Sequence, residues 1–596
     1  QNGDFSMNKS GTKKQVKAKL FNPQLIATQL LDHLNRDSVS FSLAYKGNDH
    51  ITRNAFDRQR NEFLKKFVPP DLNQEDLEQQ TFNKFLAVNS HMLTYNIKNH
   101  FINITDGKCM RADSLEDQVL KRAKLLIAHV LGDFTEEELF LECQNSSGTS
   151  IGVPFMDTAV DRKFTFPLST TERVVPLFDR YLVFDTLLND AIQTLNSTTV
   201  VGEKYNIVNG SRATTVDKSS TARRMIGIEP TCNMFFQQGL MKIMYKRLKR
   251  VGLDVATLPD RHKDLARESS ITGKNATIDF SSASDCVSIE LLRKLLPAKW
   301  FMLIDQIRCR TIAIQGVEHD TQMISSMGNA GTFPLELLIF WTFAISTIHS
   351  LEDTSGSVLP KRELFRRASV FGDDCIVPTI YAEDFMRVLE SVGFIVNKEK
   401  SFYGNEQFRE SCGGDYLEGY DNRPFCLKAP TSVKLSALEP WLYIIMNNLL
   451  KKYFMYFGVT NYLYDRSVFT YLLTLFQKHN LYLKIVPADF PDDAGLKATG
   501  DIRRFLACYP FKVSRVSKSI QGTYRFSYCR YNYRAKREIN PFVRYAVKLK
   551  NYRQSDYEPW ALPLVPVLKT PKKKGGGYIV AKGISCHWQV PEISGT

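Results

Sequence analysis

Two aspartates, Asp373 and Asp374, stand side by side behind Gly372, with apolar runs on either side in ASVFGDDCIVP, Ala368 to Pro378. Ala368 to Phe371 and Cys375 to Val377 are β-prone, and a Gly-Asp pair suits a tight hairpin turn whose first central residue takes φ > 0. Two readings compete for the pair. Gly and Asp are ordinary turn residues, so the tip can be a solvated turn. Adjacent carboxylates also repel unless a cation compensates them, and Mg²⁺ prefers carboxylate oxygens together with substrate phosphates. A further carboxylate, Asp279, ends the β-like run NATIDF. Taken alone it reads first as a strand-end residue or cap, because the Ser-rich turn after it offers N-caps to a helix beginning near Asp285. On a strand next to the hairpin it would complete a three-carboxylate cluster. That is a phosphoryl-transfer arrangement, in which two Mg²⁺ ions activate an attacking hydroxyl and stabilise a leaving pyrophosphate oxygen.

Such a cluster needs a sheet to hold it. From about Lys274 to Val396 the pattern alternates: NATIDF as a strand, VSIELLRKLL as a helix, a long helix after SSMGNAGTF, the GDD hairpin, and AEDFMRVLESVGF as another helix. A small antiparallel sheet backed by helices accommodates this order. The apolar stretch LLIFWTFAI, Leu337 to Ile345, is too short to span a bilayer and reads as a buried helix, so no transmembrane segment is expected. Upstream, FNPQLIATQLLDHLNR and DSLEDQVLKRAKLLIAHVLGDF (Asp113 to Phe134) carry helical patterns, and Ser146 to Pro176 is an irregular region rich in Gly, Ser, Thr and Pro.

The 596 residues exceed what one hydrophobic core usually holds, so several subdomains are expected. With 78 Lys and Arg against 63 Asp and Glu, the net charge of +15 makes a polyanion, nucleic acid before membrane, the first partner to consider. Eleven cysteines without a C-x-x-C pair, and ten histidines without zinc-ligand spacing, fit a cytosolic protein with reduced thiols. The N-terminal stretch has no apolar core of a secretory signal. Its lack of an initial Met points to trimming or an expression remnant in residues 1–6, with Met7 a candidate start.

Residues 501–553 hold 14 Lys and Arg against 2 Asp and Glu, and YRFSYCRYNYR (Tyr524 to Arg534) interleaves rings with cations. On a strand this would place rings on one face with Arg525, Arg530 and Arg534 beside them, a stacking and phosphate surface for RNA. A half-buried strand with solvated arginines explains the same pattern.

TIDFSSASD, SSMGNAGTF, VFGDD, VGFIVNKEKSF and FRESCGG occur in the order of polymerase motifs A, B, C, D and E. Together with DKSSTARRMIGIEPTCNMFFQQG (Asp217 to Gly239), they resemble the replicase β subunits of the single-stranded RNA bacteriophages, the leviviruses, from about Leu120 to about Lys428. The resemblance implies an α+β right-hand polymerase whose antiparallel palm sheet is backed by helices. It divides the chain into an N-terminal scaffold and fingers-associated region (1–115), fingers with a cationic triphosphate motif (116–270), palm (271–430), and thumb with a basic C-terminal region (431–596).

The implied activity is RNA-directed RNA synthesis by two-metal nucleotidyl transfer, initiated without a primer. Asp279 and Asp373 would be the main ligands of two Mg²⁺ ions, with Mn²⁺ able to substitute; Asp374 would assist and the Phe280 carbonyl would complete the coordination. Lys218 and Arg224, with Arg223 sharing the task, would grip the incoming triphosphate. Lys400, favoured over Lys398, would protonate pyrophosphate. In the motif B loop Gly328 and Gly331 permit backbone approach, while Ser326, Asn329 and Thr332 are candidate donors to sugar or template; a turn that only caps the next helix is the alternative. Two departures stand out. Asp285 is the sixth residue after Asp279, where many RNA polymerases place an Asp fifth, and Glu336 replaces a common Asn. Asp285 with Asn329 is therefore the expected reader of the ribose 2′-OH.

Implied partners are RNA template and product, ribonucleoside triphosphates, host elongation factors Tu and Ts, and an RNA-binding ribosomal protein, in the cytoplasm of an infected bacterium. A reverse transcriptase and a non-catalytic RNA-binding protein are the rival functions. The first usually carries Tyr-x-Asp-Asp and lacks SSMGNAGTF; the second leaves the carboxylates without a purpose.

Overall fold

The short β-branched run Asn275–Ile278 and the two halves of the GDD segment form the expected antiparallel sheet in the computed structural model. Asp374–Pro378 is the middle strand, with Asn275–Ile278 on one side and Ser369–Phe371 on the other. Ile278 pairs with Cys375, so Asp279 follows directly on the strand beside the hairpin. The segment 395–402 runs along the outer edge of this sheet: backbone bonds join Ser281 N–H to the Ile395 carbonyl, Asn397 N–H to the Asp279 carbonyl, and Thr277 with Phe402 in both directions. The structure describes residues 20–44, 50–69, 74–100, 114–155, 157–197, 203–353, 360–457, 466–497, 512–518, 523–532, 539–554 and 577–585.

Helices cover the sheet as its apolar face requires. Thr332–Glu352 is apolar all round and is buried from Thr332 to His349 with one exception, so it forms the spine of the larger core. It is long and apolar enough to cross a membrane, but 89% of that window is buried inside the protein. Leu115–Leu131 packs along it, capped by the Ser114 hydroxyl, which accepts from Asp117 N–H. Leu258–Thr272 and Ala382–Ser391 complete the cover. A second, mixed sheet places Arg223–Ile228 beside Ser211–Asp217, followed by Thr311–Ile314 and Val317–Asp320.

A separate core lies further along the chain. Leu435–Phe457 and Ser467–Lys478 supply Leu442, Tyr453 and Leu472, and the N-terminal helix Pro23–Ala44 supplies Ile26, Leu30 and Leu34. The first hundred residues thus divide. Pro23–Ala44 and His50–Glu62 join this second core, whereas Glu75–Asn99 packs on the mixed sheet and on the turn after Asp279. The basic tail forms a three-stranded antiparallel sheet around Tyr524–Asn532.

Candidate active site

The hairpin tip is built by its glycine. Gly372 has φ +63°, and a Cβ there would lie 2.7 Å from the Phe333 ring. Only Gly suits both the turn and the close approach of the long helix. The tip leaves Asp373 exposed. Its charge, added to burial, raises the pKa of Asp279, so the structure brings these two carboxylates together. Asp374 is turned elsewhere: its Oδ2 accepts from Cys412 N–H at 3.1 Å, and burial with the Asp373 charge pushes its pKa up to about 7. Among the described residues no three His, Cys, Asp or Glu side chains converge to hold an ion by themselves.

Asp279 is held by the edge segment. Asn397 donates from Nδ2 to Asp279 Oδ2 at 2.7 Å, and the Ser401 hydroxyl accepts from Asp279 N–H at 3.2 Å. Phe280 sits between the two backbone bonds that tie this edge, its ring stacked on Phe340.

Cations face the carboxylates. Lys218, Arg224 and Lys400 line a cavity of about 1080 Å³, and all three lie near enough to interact: burial first, then the Arg224 and Lys400 charges, depresses the Lys218 pKa, while the Asp279 charge opposes the fall. Lys398 is not among the lining residues. Arg223 points away, as its place next to Arg224 on a strand requires. Its guanidinium binds Asp217 at 2.8 Å and the Thr215 hydroxyl at 2.6 Å.

The motif B loop lies against strand Arg223–Ile228. Gly227 N–H donates to the Met327 carbonyl at 2.7 Å, and Gly328, at φ +115°, would place a Cβ 2.2 Å from the Gly227 carbonyl oxygen. Ser326 and Thr332 are buried; the Thr332 hydroxyl bonds the Ser325 hydroxyl at 2.7 Å and the Ser326 carbonyl. Asn329 Oδ1 accepts from Gly331 N–H at 2.8 Å, a local turn bond of the helix-capping kind. Gly331 has ordinary φ, near −76°. Buried Glu336 joins the cluster: burial, then the Asp373 and Asp285 charges, raises its pKa far above the carboxylate range, with Arg224 opposing. Burial likewise pushes Asp285 up to about 7.

The sequence reading missed Asn397, Ser401 and Cys412, although each lies inside or beside a quoted motif. It also missed Arg58, Lys65 and Lys66, which bring the N-terminal region into the cavity. In the tail the expected single face of rings does not form. The strand pairs regularly through Tyr524–Asn532, so Phe526 and Tyr531 lie on opposite faces, as do Arg525 and Arg530. Phe526 is buried against Phe490, and Tyr531 meets Tyr578 edge-on. Both arginines are exposed, and Arg534 lies outside the described residues.

Residues 16–461 match the family model described as RNA replicase, beta-chain. The RNA-directed RNA polymerase subunit beta of Enterobacteria phage SP is 29% identical over 542 residues, covering 88% of this chain and 84% of that one. The beta chain of Enterobacteria phage GA is 34% identical over 313 residues, 52% of this chain and 56% of its own. That of Escherichia virus Qbeta is 32% identical over 377 residues, 59% and 56%. The solved BmCPV RNA-dependent RNA polymerase at elongation state aligns at a TM-score of 0.35 and 9% identity, over 63% of this chain and 34% of that one, too slight a likeness to argue from. The class is that of the RNA-directed RNA polymerases. Within it, the chain belongs to the RNA replicase beta-chain family.

Proposed function

We propose that this chain copies single-stranded phage RNA at the Asp279–Asp373 site, by nucleotidyl transfer that uses two Mg²⁺ ions and needs no primer. The observation that carries the reading is the meeting of Asp279 and Asp373 from neighbouring strands, opposite Lys218, Arg224 and Lys400. Two carboxylates and the Phe280 carbonyl form an all-oxygen donor set that fits Mg²⁺, which takes one or two carboxylates and fills its remaining positions with water and phosphate oxygens. Such ions, when bound, activate the 3′-hydroxyl and neutralise charge on the leaving pyrophosphate.

The chain's own groups do the rest. Lys218 and Arg224 bind the triphosphate, and Lys400, exposed at the cavity wall, donates the proton that pyrophosphate takes up. Asn397 orients Asp279. Asp285 and the Asn329 amide read the ribose 2′-OH, since the Asn329 carbonyl oxygen is already engaged by Gly331. In this reading the sheet-bearing region is the palm, the mixed sheet and its helices belong to the fingers, and the second core is the thumb, completed by the N-terminal helices.

Extension of an unprimed RNA template with ribonucleotides, and then with deoxyribonucleotides, tests the activity and separates it from reverse transcription. Asp373→Asn should abolish nucleotide addition while RNA affinity stays within about twofold, because it removes a metal ligand and leaves the cations in place. Near wild-type extension by this variant at saturating Mg²⁺ would overturn the assignment.

A further inference from the structure

A second cavity, about 670 Å³, opens between the ends of three helices and the turn before the hairpin, and shares no lining residue with the catalytic cavity. Its walls come from the C-terminal ends of Leu115–Leu131 and Thr231–Arg250, the start of Leu258–Thr272, and the short helix Arg362–Arg366. Cations gather at helix C-termini for the dipole alone, and two here have that ordinary explanation. Arg247 is bound to Glu138 at 2.8 Å and Lys249 to Asp254 at 2.9 Å. Among the described residues the one carboxylate on the wall, Asp133, is taken by Lys299 at 2.9 Å.

Arg250, Arg261, Arg362 and Arg366 are different. No carboxylate lies within ion-pair distance of any of them among the described residues. Arg261 instead donates to the Arg366 carbonyl at 3.5 Å, which sets two arginines side by side. Burial and the Arg366 charge lower the Arg261 pKa, the direction expected where like charges lack a counter-ion. Guanidinium forks suit phosphate oxygens, and the exposed His129 and half-buried Phe365 add rings to the same wall.

We propose that this basin is a second RNA site, which holds the phosphate backbone of single-stranded RNA outside the catalytic cleft. The assignment rests on RNA being the polymer that this enzyme copies: a strand longer than the cleft must leave it, and arginines on separate elements fit a chain of phosphates better than one small anion. Its role is to tether long templates and keep them near the cleft between rounds of copying.

The test uses the full chain with Arg250, Arg362 and Arg366 all changed to Gln, three exposed positions, and checks the melting temperature. Binding of a single-stranded RNA of about 40 nucleotides is titrated with salt, beside extension on a template of about 8 nucleotides that stays within the cleft. The expected result is weaker binding of the long RNA, with the salt slope reduced by about 0.7 per lost phosphate contact, or about 2 in all. Extension of the short template and the KM for ATP should stay at wild-type values. An unchanged salt slope overturns the proposal, because the arginines are then only solvated. A raised KM for ATP with unchanged RNA affinity also overturns it, in favour of free nucleotide phosphates. Failure of the wild-type chain to extend the short template would count against the catalytic reading instead.

Discussion

Asn397→Ala isolates what the edge segment contributes to catalysis. In the structure Asn397 touches Asp279 twice: its backbone N–H donates to the Asp279 carbonyl at 2.9 Å, and its side chain donates to the carboxylate at 2.7 Å. Alanine keeps the first bond and removes the second. A hydrogen bond to a charged group contributes about 1.5–3 kcal/mol, and each 1.36 kcal/mol off a barrier is about tenfold in rate. If the bond serves to aim the carboxylate, kcat/KM for single-nucleotide addition should fall by about 10- to 150-fold. RNA affinity should hold, because no cation of the cavity changes. Asn397→Asp is the harsher partner: it keeps the size but sets a second carboxylate against Asp279, so it should fall below Ala. The assay is pre-steady-state addition of one ribonucleotide to a primed template at saturating Mg²⁺, with the melting temperature of each variant measured alongside. A loss in rate below about threefold for Ala, or Asp performing better than Ala, would refute the positioning role.

Gly328→Ala should cost activity far more than it costs stability, since the new Cβ meets the Gly227 carbonyl 2.2 Å away and only the loop need move; near wild-type single-nucleotide addition would contradict this. Asp285→Ala should lower the preference for ATP over dATP by about one to two orders of magnitude, because the 2′-OH no longer decides whether a buried polar group is satisfied. Unchanged selectivity with a lowered melting temperature would make Asp285 a structural residue. His262 is buried against Phe371 and Ser411, and its pKa is pushed down to about 3, so between there and its ordinary 6.5 the unfolded chain binds a proton that the folded chain does not. Stability should therefore fall as pH drops below 6.5, by about 1.4 kcal/mol per pH unit from this group, and His262→Gln should flatten the slope in acid denaturation.

Where the sequence was readable, it was readable because the signal is local. The strand NATI, the Gly-Asp turn and the helix within Asp113 to Phe134 each depend on neighbours within a few residues, and each stands as expected. Asn397 was not readable that way. Its contact with Asp279 comes from a strand edge that joins residues more than a hundred positions apart, and the run NKEK draws attention to its lysines. Arg223 shows a different failure. Motif matching takes adjacent residues together, whereas a strand sends them to opposite faces, so only one of the Arg223–Arg224 pair reaches the cavity. The same alternation divides Arg525 from Arg530 and undoes the single aromatic face of the tail. Lys65 and Lys66 were invisible for a third reason: nothing in a helical N-terminal segment says which core it will complete.

The centre of this molecule runs against its composition. A protein of net charge +15 sets Asp279, Asp373, Asp374, Asp285 and Glu336 in a chain of neighbouring carboxylates, each within reach of another's charge, and no fold stabilises itself by doing so. Burial raises the pKa of four of these groups, and like charges add to it at Asp279, Asp374 and Glu336, while Lys218 and Arg224, close enough to interact, themselves sit near other cations. Each sign is in excess on its own side of the site, and neither fully neutralises the other. A cation beside the carboxylates and a phosphate beside the lysines would relieve both at once, which is the charge pattern of a metal-bound nucleoside triphosphate. Local rules of stability fail most visibly where a ligand is meant to complete them, and here they fail on the strand end and hairpin tip that the sequence first singled out.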